Sequence, residues 1–213
     1  MDTELLIERL AADVQPVGPT AVQRRILVGL IGGAVATLVL VIFWLGIRRD
    51  LGSAMQGSMF WTKLGYTSSL ALLAIVGVVR LGRPDARGLR WLWLLVAPVL
   101  VLAALGIAEL LRVPQAEWLA MWLGSSWRVC PWLVLTLAIP IFAGLLWSFR
   151  RLAPTRLRVA GAMAGLASGA FAATLYCLHC PEVSAIFVLT WYSLGMLLAA
   201  LVGALLGPRL LRW

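Results

Sequence analysis

Charge is what this sequence has least of. Asp, Glu, Lys and Arg together make up 13 % of its 213 residues, about half the share usual in soluble domains. Acidic residues number nine, histidine occurs once, and Lys63 is the single lysine. So few ionisable groups leave no paired carboxylates and no histidine cluster for acid–base or metal catalysis. A glycine-rich phosphate loop is missing as well. Within the long apolar runs the only acid well inside is Glu109, with Arg112 at i+3, and that pair reads as snorkelling to an interface. A transporter or a hydrolase is therefore disfavoured, and no residue is assigned a catalytic role. The net charge of +9 is spread over the connecting segments and forms no contiguous basic face, so direct nucleic-acid binding is not expected.

Apolar length is what the chain has in abundance: 62 % of residues are hydrophobic and mean hydropathy is +0.95. A helix crossing a bilayer needs roughly 20 apolar residues. Six such stretches fit, over 26–47, 60–81, 91–111, 132–149, 159–178 and 185–206. The fold expected is an all-α integral membrane protein, a six-helix transmembrane domain spanning 26–206. A cytoplasmic segment 1–25 precedes it and a cytoplasmic tail 207–213 follows. The first span is longer than the roughly 7–15 residues of a signal core, so it is read as retained. Lys63 and Arg80, near the ends of the second span, are expected to snorkel.

Orientation follows from the basic residues. One set of connections holds thirteen: Arg9, Arg24, Arg25, the four arginines of 80–90, the four of 150–158, Arg209 and Arg212. The other holds five: Arg48, Arg49, Lys63, Arg112 and Arg128. The positive-inside bias places both termini in the cytoplasm of a bacterial inner membrane. Ten of the eleven tryptophans fall near the ends of the spans, as an interfacial aromatic belt should, and Trp191 alone is read as deeper. Residues 115–128 read as a short helix on the membrane surface. Gly161, Gly165 and Gly169 recur every four residues and predict a close helix–helix contact. Gly29/Gly33 and Gly203/Gly207 repeat the spacing with a weaker signal.

Chemistry concentrates in three cysteines, Cys130, Cys177 and Cys180. Cys130 and Cys180 fall in connections on the presumed oxidising side, where thiols can pair, and a bond between them would tie the third connection to the fifth. The same neighbourhood offers His179 and Glu182, a donor set suited to zinc or a heavier thiophilic ion. Redox sensing or metal sensing thus stays open for Cys130 and Cys180, with Cys177, His179 and Glu182 as possible contributors. Cys177 by itself reads as a small packing residue. No resident cofactor is called for.

The amino terminus is the other feature. Residues 2–14 have helical periodicity, with Leu6, Leu10 and Val14 on one stripe and Ile7 beside them. Residues 15–20, with two prolines and a glycine, form a breaker. A helix so short is marginal alone in water and must dock on something. Its acidic face disfavours lipid, leaving the protein's own loops or a partner groove.

Several segments together resemble the negative regulator of sigma F family. They are Leu6-Ile7-Glu8-Arg9-Leu10-Ala11-Ala12-Asp13 with Pro16-Val17, Arg48-Arg49-Asp50-Leu51, Cys130-Pro131 and Ala153-Pro154-Thr155. Leu178-His179-Cys180-Pro181-Glu182 follows, then Phe187, Trp191-Tyr192 and Gly195. The resemblance implies a membrane anti-sigma factor rather than an enzyme. Its amino terminus would hold an extracytoplasmic-function sigma factor, and metal or oxidative stress at Cys130 and Cys180 would release it. The alternative is a membrane thiol–disulfide oxidoreductase linked to quinone, suggested by the Cys177-x-x-Cys180 spacing.

Overall fold

The computed structural model describes residues 3–12, 20–83, 88, 90–150, 152 and 154–211; within 3–12 the side chains of Leu6, Arg9, Leu10 and Ala11 are also outside the description. Helices make up most of the described residues, which contain no strand. Six helices among them are long and apolar enough to cross a membrane: α2 (Ala21–Leu45), α4 (Ser58–Leu81), α5 (Arg90–Leu110), α7 (Cys130–Phe149), α8 (Leu157–Tyr176) and α9 (Ala185–Leu210). Between them lie α3 (Leu51–Ala54) and α6 (Gln115–Leu123), and α1 (Thr3–Ala12) stands at the amino terminus. The protein is an all-α membrane bundle. The surface helix expected within 115–128 is α6, and it is exposed along most of its length.

Two close contacts organise the bundle, and both rest on glycine. Along α8, a Cβ at Gly161 or Gly165 would collide with backbone of Gly203 or Ala199 on α9, and Gly169 lies against Met196. Between α2 and α7, Gly29 and Gly144 meet backbone to backbone, and Gly33 faces Pro140 and Ile141. The Gly29/Gly33 and Gly203/Gly207 pairs are therefore contact points too. In lipid no hydrophobic drive brings helices together, so small residues that let backbones touch supply the dispersion contact instead. Hydroxyls add to it. Thr37 Oγ1 donates to Leu137 O at 2.9 Å, and Ser148 Oγ to Arg25 O at 3.0 Å.

Helix α8 is central, with α4, α7 and α9 packed around it. Helix α5 is peripheral and packs mainly on α4 and the start of α9. Because six spans alternate in direction, α2 begins and α9 ends at one end, here the near end. Cation–π contacts occur there, with Arg25 over Trp147 and Arg80 over Trp91. The connections 46–57, 111–129 and 177–184 gather at the far end.

Candidate functional site at the far end

The far-end site is built on the connection between α8 and α9. Helix α8 finishes in a tight turn in which His179 N and Cys180 N both donate to Tyr176 O at 3.0 Å. Pro181 has no N–H with which to continue it, and residues 181–184 run on without helix to the start of α9. Six backbone or side-chain groups of this short segment are then claimed by other elements.

The first connection holds one side. Gly46, with φ of 79°, ends α2 in a conformation that favours glycine. Its carbonyl meets His179 Nδ1 at 2.8 Å. A carbonyl only accepts, so Nδ1 carries the proton. Arg48 N donates to Leu178 O at 3.1 Å, and Arg48 Nη1 donates to Cys180 O at 3.2 Å. The same guanidinium binds both oxygens of Asp50, at 2.8 and 2.6 Å. That hydrogen-bonded partner holds the Asp50 carboxyl down at about 2.

Lys63 holds the middle. Its side chain, only 1 % exposed, donates from Nζ to Glu182 O at 2.7 Å and to Cys180 O at 3.1 Å. The expected snorkelling is overturned: two carbonyls of the 177–184 segment replace water around the ammonium, so the stem turns inward. Two cationic side chains thus converge on one carbonyl, that of Cys180.

The third connection and α5 hold the other side. Glu182 Oε1 accepts from Ser125 N and Oγ at 2.8 and 2.6 Å, and from Ser126 N and Oγ at 3.0 Å each. Gly124, with φ of 53°, lies against that carboxylate, where a Cβ would collide with it. Glu109 Oε2 accepts from Ala185 N at 2.7 Å and Ser184 Oγ at 3.3 Å. It caps the otherwise unpaired first N–H groups of α9. The expected Glu109–Arg112 pair is therefore replaced by a cap on another helix. Trp191 is also not isolated: its Nε1 donates to Trp122 O at 2.7 Å, and its ring lies against Trp122 and Trp127. It joins the far-end belt because a π-helical turn over Val188–Tyr192 shifts it and α6 folds back to meet it.

Cys130, Cys177 and Cys180 are free thiols, and all three are fully buried. The expectation of exposed loop thiols is corrected by this geometry. Cys130 is the first residue of α7, Cys180 is wound inward by the α8 terminal turn, and Cys177 donates to Ala173 O at 3.3 Å. Cys130 and Cys180 interact with each other and with Tyr176. The three thiols share one buried neighbourhood with Tyr176 and Tyr192, and Cys177 also lies beside Thr67. The Tyr192 hydroxyl is buried with no hydrogen-bond partner among the described residues. The thiol sulfurs are the soft donors of this neighbourhood. His179 and Glu182 instead fasten the segment, and no group of three or more His, Cys, Asp or Glu side chains is placed to hold a metal ion among the described residues.

At the other end of the chain α1 is a helix, as its periodicity predicts. Ile7 and Leu5 are exposed upon it. The side chains of Leu6 and Leu10, and the whole of Val14, lie outside the described residues.

Reading the residues alone missed Lys63, Arg48, Glu109 and the Ser125-Ser126 pair as members of this site. The one visible signal was that the chain's only lysine fell inside an apolar run.

A family model described as negative regulator of sigma F matches residues 10–213. A protein of Azospira oryzae named probable anti-sigma-F factor NrsF is 45 % identical over 215 residues, covering 100 % of both chains. A protein of Caulobacter vibrioides named anti-sigma-F factor NrsF is 44 % identical over 216 residues, again covering 100 % of both. No solved structure matches the chain.

Proposed function

The chain belongs to the negative regulator of sigma F family, and we propose that it is an anti-sigma factor of the bacterial inner membrane, with both termini in the cytoplasm. In this reading the amino-terminal segment binds an extracytoplasmic-function sigma factor through Leu6, Ile7, Leu10 and Val14 and keeps it from RNA polymerase. Membrane helices and the bilayer hold the complex in place. No enzymatic step is required of the protein.

Cys130 and Cys180 receive the signal. An oxidant such as hydrogen peroxide takes two electrons and two protons from the thiols, leaving a disulfide and two waters. A thiophilic ion instead displaces both protons and is held by the thiolates. Either product demands a new distance between the start of α7 and the 177–184 segment. That segment is fastened to α4, to the first connection and to the third, and its last residue is capped from α5. A change in its path therefore pulls on several helices at once. The observation that supports the sensing reading is that Cys180 is buried inside the segment that ties the far end together, with the buried Cys130 thiol close by at the start of α7. A tenfold release of sigma requires the signal to favour the releasing state by ~1.4 kcal/mol.

The oxidoreductase alternative wants an exchange thiol within reach of a partner protein. Cys177 is buried and bonded to its own helix, so no observation favours it.

Full-length protein purified in detergent from its native host tests the proposal. A sigma factor should co-purify, and Leu6→Glu/Leu10→Glu should lose it. Cadmium or peroxide should dissociate the complex, and Cys130→Ser/Cys180→Ser should stay bound under both. An empty wild-type preparation defeats the anti-sigma reading. Normal release from the serine variant defeats the sensor assignment alone.

A further inference from the structure

Helix α5 leaves a gap where it meets α4. An open cleft of about 470 Å³ lies between them, lined among others by Gly65, Tyr66 and Ser69 of α4 and by Ala97, Pro98 and Leu102 of α5. A second recess of about 460 Å³ continues it towards the far end and shares Thr62 and Leu105 with it. That recess also holds Ser58, Glu109 and Arg112. The two make one groove, apolar in its depth and polar at its mouth.

The polar atoms of the deep part are already satisfied. Ser69 Oγ donates to Tyr66 O, Thr62 Oγ1 donates to Ser58 O, and the Tyr66 hydroxyl pairs with Ser193. The cleft wall therefore offers carbon to an occupant. A Cβ at Gly65 would meet open space.

The mouth is different. The Arg112 side chain is exposed and makes no hydrogen bond or ion pair among the described residues. Glu109, one turn earlier, is engaged by Ala185 N and the Ser184 hydroxyl at the start of α9. Trp118 donates from its indole to Leu110 O and Val113 O on either side of Arg112. An indole fixed there marks the headgroup level. From Leu105 to Ala97 the helix descends ~12 Å, against ~15 Å for the depth of one leaflet. A cation at headgroup depth above an apolar slot one leaflet deep matches the shape and charge of a phospholipid.

We propose that the α4–α5 groove binds one anionic phospholipid, with its phosphate on Arg112 and one acyl chain in the cleft lined by Gly65, Ser69, Ala97 and Pro98. The lipid supplies the side contacts that α5 lacks against α4 and so fixes the helix that caps the start of α9. The site stands whether or not the protein binds a sigma factor.

Delipidated full-length protein in a neutral detergent provides the test. Dioleoylphosphatidylglycerol is titrated beside dioleoylphosphatidylcholine and glycerol 1-phosphate, with thermal unfolding and native mass spectrometry as readouts. The expected result is one phosphatidylglycerol per chain and a saturable rise in Tm, with at least tenfold weaker binding of phosphatidylcholine. Glycerol 1-phosphate should do nothing. Arg112→Gln should lower phosphatidylglycerol affinity at least tenfold and leave the lipid-free Tm unchanged. Gly65→Leu should fill the cleft and abolish the saturable rise, and Ala97→Leu fills it from the opposite wall if Gly65→Leu fails to fold. Equal responses to the two lipids, or unaltered binding by Arg112→Gln, overturn the proposal. A matching shift from glycerol 1-phosphate alone overturns it in favour of a simple phosphate site.

Discussion

Along the α8–α9 seam backbone lies on backbone, and none of the residues at the contact can ionise; at the far end the same two helices are joined by a segment whose carbonyls face an ammonium and a guanidinium. Both arrangements answer the same difficulty, that lipid competes equally for apolar side chains. The seam answers with shape. It has no chemical handle and no second state of comparable energy, because the atoms in contact are main chain. The far end answers with charge and hydrogen bonds, whose strength depends on where each donor sits. One region is suited to staying closed; the other is where the signal proposed at Cys130 and Cys180 would act.

The sharpest way to break the comparison is to attack the seam. Gly165→Leu puts a branched side chain where Ala199 backbone already lies. Overpacking a core with extra methylenes costs ~1–3 kcal/mol when side chains can yield, and here the obstacle is main chain. We expect the largest loss of the set, above ~3 kcal/mol, seen as a collapse of Tm and of monodisperse yield. The reactivity of the thiols towards alkylation should follow global unfolding and nothing smaller.

Lys63→Met attacks the far end instead. It leaves Glu182 O without its donor and Cys180 O with Arg48 alone. An orphaned buried acceptor costs ~1–3 kcal/mol, and relief from burying an ammonium offsets part of that. The expected net destabilisation is about 1–2 kcal/mol. Alkylation of Cys180 should nevertheless accelerate about tenfold, which is ~1.4 kcal/mol of easier local opening. Equal protection of Cys180 in Lys63→Met and wild type, measured by maleimide labelling and mass spectrometry, would show that the lysine does not fasten the segment.

How much of this the residues alone disclose differs between the two regions for a physical reason. Spans and seam are local patterns: apolar length and a four-residue glycine repeat are visible without knowing any partner. A helix can outrun its apolar stretch where charge sits inside it. Helix α2 starts at Ala21, ahead of the apolar run that begins at 26, because Arg24 and Arg25 continue the helix, with Arg25 resting on Trp147. The far end is non-local. Lys63 reads as a snorkelling residue until Cys180 and Glu182, more than a hundred positions away, are seen to accept from it. Glu109 pairs plausibly with Arg112 until the start of α9 arrives beside it. The burial of Cys180 was not legible, since it depends on the inward turn at the end of α8.

Glu182→Gln asks how much of the far-end strength is charge. It preserves the shape and one acceptor oxygen while removing the negative charge that four donors share. Charge-assisted hydrogen bonds are roughly twice as strong as neutral ones, so a loss of ~1 kcal/mol is expected. Limited proteolysis at Ser125–Ser126 should quicken in this variant and not in a mild seam variant such as Gly169→Ala, where the added Cβ meets its neighbours at 3.0 Å or more. No change in cleavage rate would make the carboxylate a packing group only.

The smallest effect belongs to Asp50, and it carries a sign. Arg48 holds the Asp50 carboxyl down at about 2 through hydrogen bonding, whereas an unfolded aspartate titrates near ~3.9. A carboxyl depressed on folding stabilises the protein fully above its unfolded value, and the contribution disappears as pH falls through its folded one. The difference in Tm between wild type and Asp50→Asn should therefore be constant above about pH 5, shrink as pH falls through about 4 to 2, and vanish only below about pH 2. Asp50 is well exposed, so solvent screens the pair; the difference should be small and shrink further in high salt. Its direction still matters, because Arg48 also donates to Leu178 O and Cys180 O. Protonating Asp50 frees that guanidinium, and Cys180 labelling should quicken over the same pH window once corrected for the thiolate fraction. A Tm difference that persists unchanged at pH 2 would place the ion pair outside the far-end network and leave Lys63 as its main cationic tie.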